Sequence, residues 1–155
     1  MSEPRASKPT LGMERGTELL SWQWAEDQLS SCRNYWVVTT RSDGFPQARP
    51  VWGLWFEDVL YLTIGHGGVQ RAAKHDDGTF DVTVHVDSAV DVVIIEGTAE
   101  RSVASDGRRR AVAVYNEKYD YGLDESWLNF VVRPHVVYGW RDEDVKTSTK
   151  WTFPT

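Results

Sequence analysis

The feature that most constrains this chain is a run of short β-rich segments separated by two- or three-residue turn signals. Asn34–Arg41 is dense in aromatic and β-branched residues, Ser42-Asp43-Gly44 supplies a tight hairpin turn, and Gln47–Phe56 reads as the returning strand. Glu57-Asp58 turns the chain again into a third strand, Val59–Ile64. Adjacent hairpins of this kind build an antiparallel meander. Phe80, Val82, Val84 and Val86 alternate in a further strand. Asp91–Val103 reads as a long one, with Val92–Ile95 buried on both faces or in a barrel wall and Gly97 marking a bulge or bend. Asn129–Trp140 follows, with Pro134 suggesting an edge or bulge, and Lys150–Phe153 is a last short strand after a charged loop.

Two helical patterns lie outside the strands. Leu19, Leu20, Trp22, Trp24, Ala25 and Leu29 form an apolar stripe behind a Thr17 cap, which predicts a helix ending near Ser31. Ser105 or Asp106 caps a second helix, Gly107 to about Tyr119, whose apolar face is Ala111, Val112, Val114 and Tyr115. Its Arg108-Arg109-Arg110 run reads as a solvated surface. A third, short helix is predicted over Val69–His75, after the glycine-rich loop Gly65-His66-Gly67-Gly68. Met1–Gly16 has no apolar run and reads as a flexible leader, leaving 17–155 as a single domain. Many short antiparallel strands with peripheral helices predict a mainly β protein, a closed or split β-barrel.

Charge and cysteine content narrow the function classes. The 155 residues carry 17 basic and 23 acidic side chains, a formal charge of −6, which disfavours a general nucleic-acid or acidic-membrane surface. Cys32 is the lone cysteine, so neither an intrachain disulfide nor a cysteine-based zinc cluster can form, and a reducing, cytoplasmic setting is the simplest reading. His66, His75, His85 and His135 show no metal-ligand spacing, and no nucleophile elbow appears. His85, within an alternating strand, reads as a barrel-wall histidine. The best local anion site is Gly65–Arg71: glycines let backbone N–H groups approach a phosphate, a helix N-terminus would add partial positive charge, and Arg71 can clamp its oxygens.

The ordered segments Asn34–Thr40, Asp43–Phe56, Leu60–Thr63 and Asp91–Glu100 resemble the pyridoxamine 5′-phosphate oxidase-like flavin-binding split-barrel family. The resemblance runs from about Leu19 to Phe153 and is nearest to the actinobacterial flavin and deazaflavin oxidoreductase branch, whose closing segment is similar to Gly139-Trp140-Arg141 followed by Lys150–Phe153. It implies a homodimer of six-stranded antiparallel split barrels with two cofactors, FMN or alternatively a deazaflavin (coenzyme F-420), in grooves at the subunit interface. Carried onto this chain, it places Pro50, Val51 and Trp52 along the isoalloxazine ring and Thr63 at the ribityl or phosphate. Gln70 and Arg71 fall at the phosphate with Arg49, and Trp140 and Trp151 at the partner's ring or substrate pocket. Val69 stands where the family usually has a serine or threonine, and loss of that hydroxyl removes a hydrogen bond worth about 1.5–3 kcal/mol if buried. The C-terminal signature by which true pyridoxamine phosphate oxidases hold their substrate is missing, which speaks against vitamin B6 oxidation.

The function implied is hydride transfer between the cofactor and a small, planar molecule, with catalytic residues left unassigned. A non-catalytic protein binding a flavin, haem or other flat ligand on the same barrel is the alternative, and a structural dimer with an empty groove a third. The eight tryptophans divide accordingly. Trp36 is expected in the strand core, at least one of Trp22 and Trp24 packs the first helix on the barrel, Trp52, Trp140 and Trp151 surround the groove, and Trp127 has no assigned place.

Overall fold

The computed structural model describes residues 3–10, 18–65 and 67–155. In chain order the elements are β1 (Arg5–Ser7), α1 (Trp22–Ser31), β2 (Tyr35–Thr40), β3 (Pro46–Phe56), β4 (Val59–Thr63), β5 (Phe80–Val86), β6 (Asp91–Arg101), α2 (Asp106–Tyr119), a 3-10 turn at Glu125–Trp127, β7 (Phe130–Arg141) and β8 (Asp144–Thr152). The meander β2-β3-β4 forms as its turn signals require. Glu57 and Asp58 both take left-handed φ values, 51° and 61°, as a two-residue hairpin turn demands. The Arg110 guanidinium donates to both Glu57 carboxylate oxygens at 2.9 Å and ties the turn to α2.

The sheet is antiparallel throughout, in the order β1-β8-β7-β4-β3-β2-β5-β6, and β6 pairs with β7 as well, which closes it into a ring. β1 and β8 extend the sheet beyond that closure. The closure turns on a bulge: Glu96 faces Val136 while Gly97 faces Pro134, so His135 is the extra residue of β7. The phenylalanine at 153 uses the carbonyl freed there, its N–H donating to His135 at 3.0 Å.

Strand alternation sets two cores. Tyr35, Val37, Leu60, Leu62, Val84, Val93, Ile95 and Val137 point into the ring, where α1 seats Trp22, Ala25 and Leu29 against them. Trp22 meets Trp55, Trp151 and Phe153 edge-on, with centroids 5.9, 5.6 and 5.2 Å away. On the opposite face of β3 and β4, the Ala111, Tyr115 and Tyr119 stripe of α2 packs on Leu54, Tyr61 and Val131.

Four expectations need correction. The leader is in part a strand: Arg5–Ser7 pairs with Lys150–Thr152, because β8 starts at Asp144 and offers a longer edge than the predicted Lys150–Phe153. The rest of that leader, 1–2 and 11–16, and the predicted Thr17 cap lie outside the described residues. Helix α1 instead begins behind Ser21, whose Oγ accepts from the Trp24 N–H at 3.2 Å. No helix forms over Val69–His75. Val69 and Ala72 are buried in the core, Arg41 and Ala72 form a bridge, and the Ala73 N–H donates to Thr40 O at 2.7 Å, so this segment spends its backbone bonds on β2. Finally, Trp36 is half-buried on the outer surface of the ring, where its indole N–H donates to Asp87 at 2.8 Å and His85 stacks on it.

A Cβ built on Gly97 would stand 2.3 Å from the Arg133 carbonyl oxygen, whereas one on Gly65 meets nothing within 4 Å. Gly97→Ala is therefore expected to destabilise the fold by about 2 kcal/mol or more and Gly65→Ala by about 0.5 kcal/mol or less, read from urea unfolding of the two variants.

Candidate functional site at the free edge of β3

Strand β3 changes partners midway. Its residues Pro46–Val51 pair with β2 and Trp52–Phe56 with β4. Strand β4 ends at Thr63, opposite Trp52, and the Asn129 amide then holds the chain: its Oδ1 accepts from Ile64 N–H at 3.0 Å and its Nδ2 donates to Ile64 O at 2.8 Å. Among the described residues, the β3 edge before Trp52 that faces away from β2 has no strand partner. Backbone polar groups on such an edge are available to a ligand or to another chain.

The residues expected to hold a cofactor divide between the two faces of β3. Pro50 and Trp52 lie on the outer face together with Thr63, whereas Arg49 and Val51 follow Val37 and Tyr35 on the face turned toward the ring's interior. Arg49 reaches the glycine loop: a Cβ on Gly68 would lie 3.5 Å from Arg49 Nη1 and only 2.3 Å from the Ile64 side chain, so the loop packs there because it has none. Gln70 and Arg71 are exposed beyond it, and Arg71 O accepts from Ser42 N–H at 3.3 Å. His66, within that loop, lies outside the described residues. Thus Arg49, Pro50, Val51, Trp52 and Thr63 gather where the sheet splits, with the loop bearing Gln70 and Arg71 next to them.

Of the two tryptophans expected at the partner's ring or pocket, Trp140 lies far from this chain's own β3 edge and Trp151 is in the core. Trp140 is half-buried near the far end of β7, eight residues beyond the Val132 that pairs with β4, or roughly 25 Å along the strand. Trp151 is fully buried in the first core against Trp22, and its indole N–H has no hydrogen-bond partner among the described residues. It cannot line a groove on either subunit. Its inward position follows from β8 continuing the alternation of the β7–β8 hairpin, in which Val137 faces Trp151.

Sequence reasoning missed the polar and aromatic cluster behind Trp52. Tyr119 stacks on the Trp52 ring at 4.5 Å and 10°, Tyr121 meets it edge-on, and the Arg33 guanidinium lies 5.2 Å from the ring centroid. The Tyr119 hydroxyl accepts from Gly53 N–H at 3.0 Å and donates to the Arg33 carbonyl at 2.7 Å. Lys118 Nζ donates to Tyr35 Oη at 2.7 Å and to Gly53 O at 3.0 Å, while Thr63 Oγ1 donates to Tyr115 Oη at 2.9 Å. The i, i+3, i+4 spacing of Tyr115, Lys118 and Tyr119 along a capped helix was the available signal. The cluster clamps β3 at the residue where its pairing changes and covers one face of the Trp52 ring.

Burial shapes the ionisation of this cluster. It pushes the Lys118 ammonium down to about 8, and pushes the Tyr35 and Tyr119 phenols and the Cys32 thiol up. Among the described residues no group of three or more His, Cys, Asp or Glu side chains could hold a metal ion, and no helix is long and apolar enough to cross a membrane.

No protein-family model matches the sequence, and no curated protein does. Solved structures do match. A general stress protein 26-related protein of the pyridoxinephosphate oxidase family from Clostridium acetobutylicum aligns over 86% of this chain and 97% of its own, with a TM-score of 0.59 at 11% identity. A conserved hypothetical protein of Mycobacterium tuberculosis aligns over 83% and 89%, with a TM-score of 0.59 at 19% identity. The fold is that of the pyridoxamine 5′-phosphate oxidase-like split barrels. An FAD binding protein from Mycobacterium smegmatis shares it, with 86% and 96% covered, a TM-score of 0.50 and 16% identity. In this chain the sheet is open on one side of β3 before Trp52.

The Lys118 shift has a pH signature. An unfolded lysine keeps its proton to about pH 10.5, so between about pH 8 and 10.5 the unfolded chain binds more protons at this position, and stability contributed by Lys118 rises with pH. Cys32, Tyr35 and Tyr119, with folded values raised, act in the opposite sense above pH 9 to 10. The difference in unfolding free energy between wild type and Lys118→Met is therefore expected to grow in favour of wild type from pH 7.5 to 10, measured by urea titration at each pH.

Proposed function

We propose that this split barrel binds a flavin-type cofactor, FMN or alternatively a deazaflavin, along the free edge of β3 and works as an oxidoreductase on a small planar molecule. The unpaired β3 edge beside Arg49 and the glycine loop is the observation that carries this reading. A ligand there would meet backbone groups of Pro50–Trp52 at one side, the Thr63 hydroxyl at the β4 end, and Arg49 and Arg71 as the cations for a phosphate. The residues fit the group: the edge supplies backbone donors and acceptors, and the glycine loop leaves Arg49 Nη1 room beside Gly68. When bound, a flavin or deazaflavin supplies the hydride chemistry itself. The chain's own part is then to hold the phosphate, offer hydrogen bonds to the ring edge and exclude water.

A row of partly exposed side chains beside the site supports a homodimer. The pairing register aligns Pro50, Trp36, His85, Ile94 and Tyr138 in one row across the outer face of five strands, and Trp140 stands on the same face. A second copy on this row would cover rings that otherwise face water and would bring its own Trp140 toward the groove. A cytoplasmic setting, with no nucleic-acid or membrane partner, fits the acidic charge and the single Cys32.

Non-catalytic binding of a flat ligand is the second reading, and two observations favour it. Val69 is buried and offers no hydroxyl to a phosphate, and with no helix over Val69–His75 there is no helix N-terminus to add positive potential.

The visible absorption of the purified protein and titrations with FMN and with the deazaflavin test the assignment, followed by reduction of whichever binds. Binding of at least one is expected, and failure of both would sink the cofactor reading. Arg71→Ala is expected to weaken binding by about tenfold or more, whereas Arg109→Ala, an exposed residue paired with Asp106 at 3.2 Å, leaves it unchanged. Equal effects would move the phosphate elsewhere.

A further inference from the structure

We propose a second ligand site, away from the β3 edge but bounded by the other side of the same glycine loop, in the recess where β6 ends and β7 begins, fitted to a flat aromatic anion that Arg101 holds by its acidic group. Two adjoining hollows of about 560 and 180 Å³ share Val69, Gln70, Arg101 and Phe130, so the recess is continuous around the Arg101 side chain. Its floor is aromatic: Phe80 and Phe130 meet edge-on at 5.9 Å. Trp127, which like Trp36 and Trp140 has no part in either core, lines the smaller hollow with half of its surface exposed.

The charges there select the sign of the ligand. Both carboxylates of the larger hollow are engaged: Asp77 Oδ1 accepts from Thr79 N–H at 2.9 Å and from its hydroxyl at 2.7 Å, and Glu100 Oε1 accepts from Arg133 Nε at 2.9 Å. Lys74 spends its protons on the carbonyls of Val69, Gln70 and Ala72 at 3.2, 3.5 and 3.2 Å, fastening the loop while adding positive charge. Arg101 differs. Its guanidinium lies 5.3 Å from the Phe130 centroid and has no hydrogen-bond or ion-pair partner among the described residues. A planar cation set over an aromatic ring with its donors unspent is prepared for a carboxylate, sulfonate or phosphate carried on a flat apolar body. Compact inorganic anions would leave Trp127 uncovered.

The anionic dye 1-anilinonaphthalene-8-sulfonate and its neutral analogue N-phenyl-1-naphthylamine test this by fluorescence titration. Arg101→Ala is expected to weaken the anionic probe by about tenfold or more while leaving the neutral one within about twofold, and Trp127→Leu to weaken both. Circular dichroism confirms that each variant is folded, as expected for two exposed side chains. Unchanged affinity of the anionic probe in Arg101→Ala would overturn the proposal, as would a loss that follows Arg71→Ala instead. No flavin enters the titration, so failure of the cofactor reading leaves this result interpretable.

Discussion

The shared use of β7 is the constraint on which the rest of the structure depends. Each residue of a strand edge can pair with only one neighbour, so β7 meets β6 along one edge and divides the other between β4, at Phe130–Val132, and β8, from Val136 onward. The division falls at Pro134 and His135. Proline has no N–H to give a ladder, and Gly97 opposite lets the Arg133 carbonyl approach closer than any side chain would permit. Closing the ring on β4 buries Leu60 and Leu62, and releasing the rest of β7 to β8 carries Trp151 back over the interior.

The same geometry creates the opening. Since β4 is recruited to β7 at its Leu60–Leu62 segment, it ends at Thr63 and cannot accompany β3 back past Trp52. The glycine loop that follows plugs the end of the ring with Val69 and Ala72 and crosses beside Arg49 without pairing to the edge of β3. The clamp from α2 bears on this point: Tyr119 and Lys118 seize Gly53 N–H and O, so β3 is held rigid at the residue where its partner changes. An edge kept both unpaired and rigid suits recognition, because little conformational freedom remains to be lost on binding.

How much of this was legible in the sequence depended on how local the cause was. The hairpins at Ser42–Gly44 and Glu57-Asp58, the alternating β5 and the Ser105-capped α2 were readable because turn chemistry and strand period act within a few residues. Gly97 and Pro134 could each be marked as a bulge and a barrel expected, but that the two face each other across β6 and β7 could not be read, because they lie far apart in sequence. The helix expected over Val69–His75 failed for a tertiary reason: its apolar residues were drawn into the core and its N–H groups to β2. Of the candidate site, Arg49–Trp52 and Thr63 were named through resemblance and lie near one another where β3 changes partner, while Arg33, Lys118 and Tyr119 emerged only from packing.

The tryptophans show why counting rings says little about where a ligand sits. Trp151 and Trp22 are consumed by the ring interior, Trp52 is capped by Tyr119 on one face, and Trp36 and Trp140 look outward along the row that a second copy would cover. In the proposed dimer, a ligand at the β3 edge would therefore take its ring contacts from the uncovered face of Trp52 and from the second copy's outward-facing side chains, and its polar contacts from backbone. In the proposed dimer, affinity there would be coupled to association of the two chains. Any substitution on the outer row that separates the subunits would thus weaken ligand binding without touching the ligand.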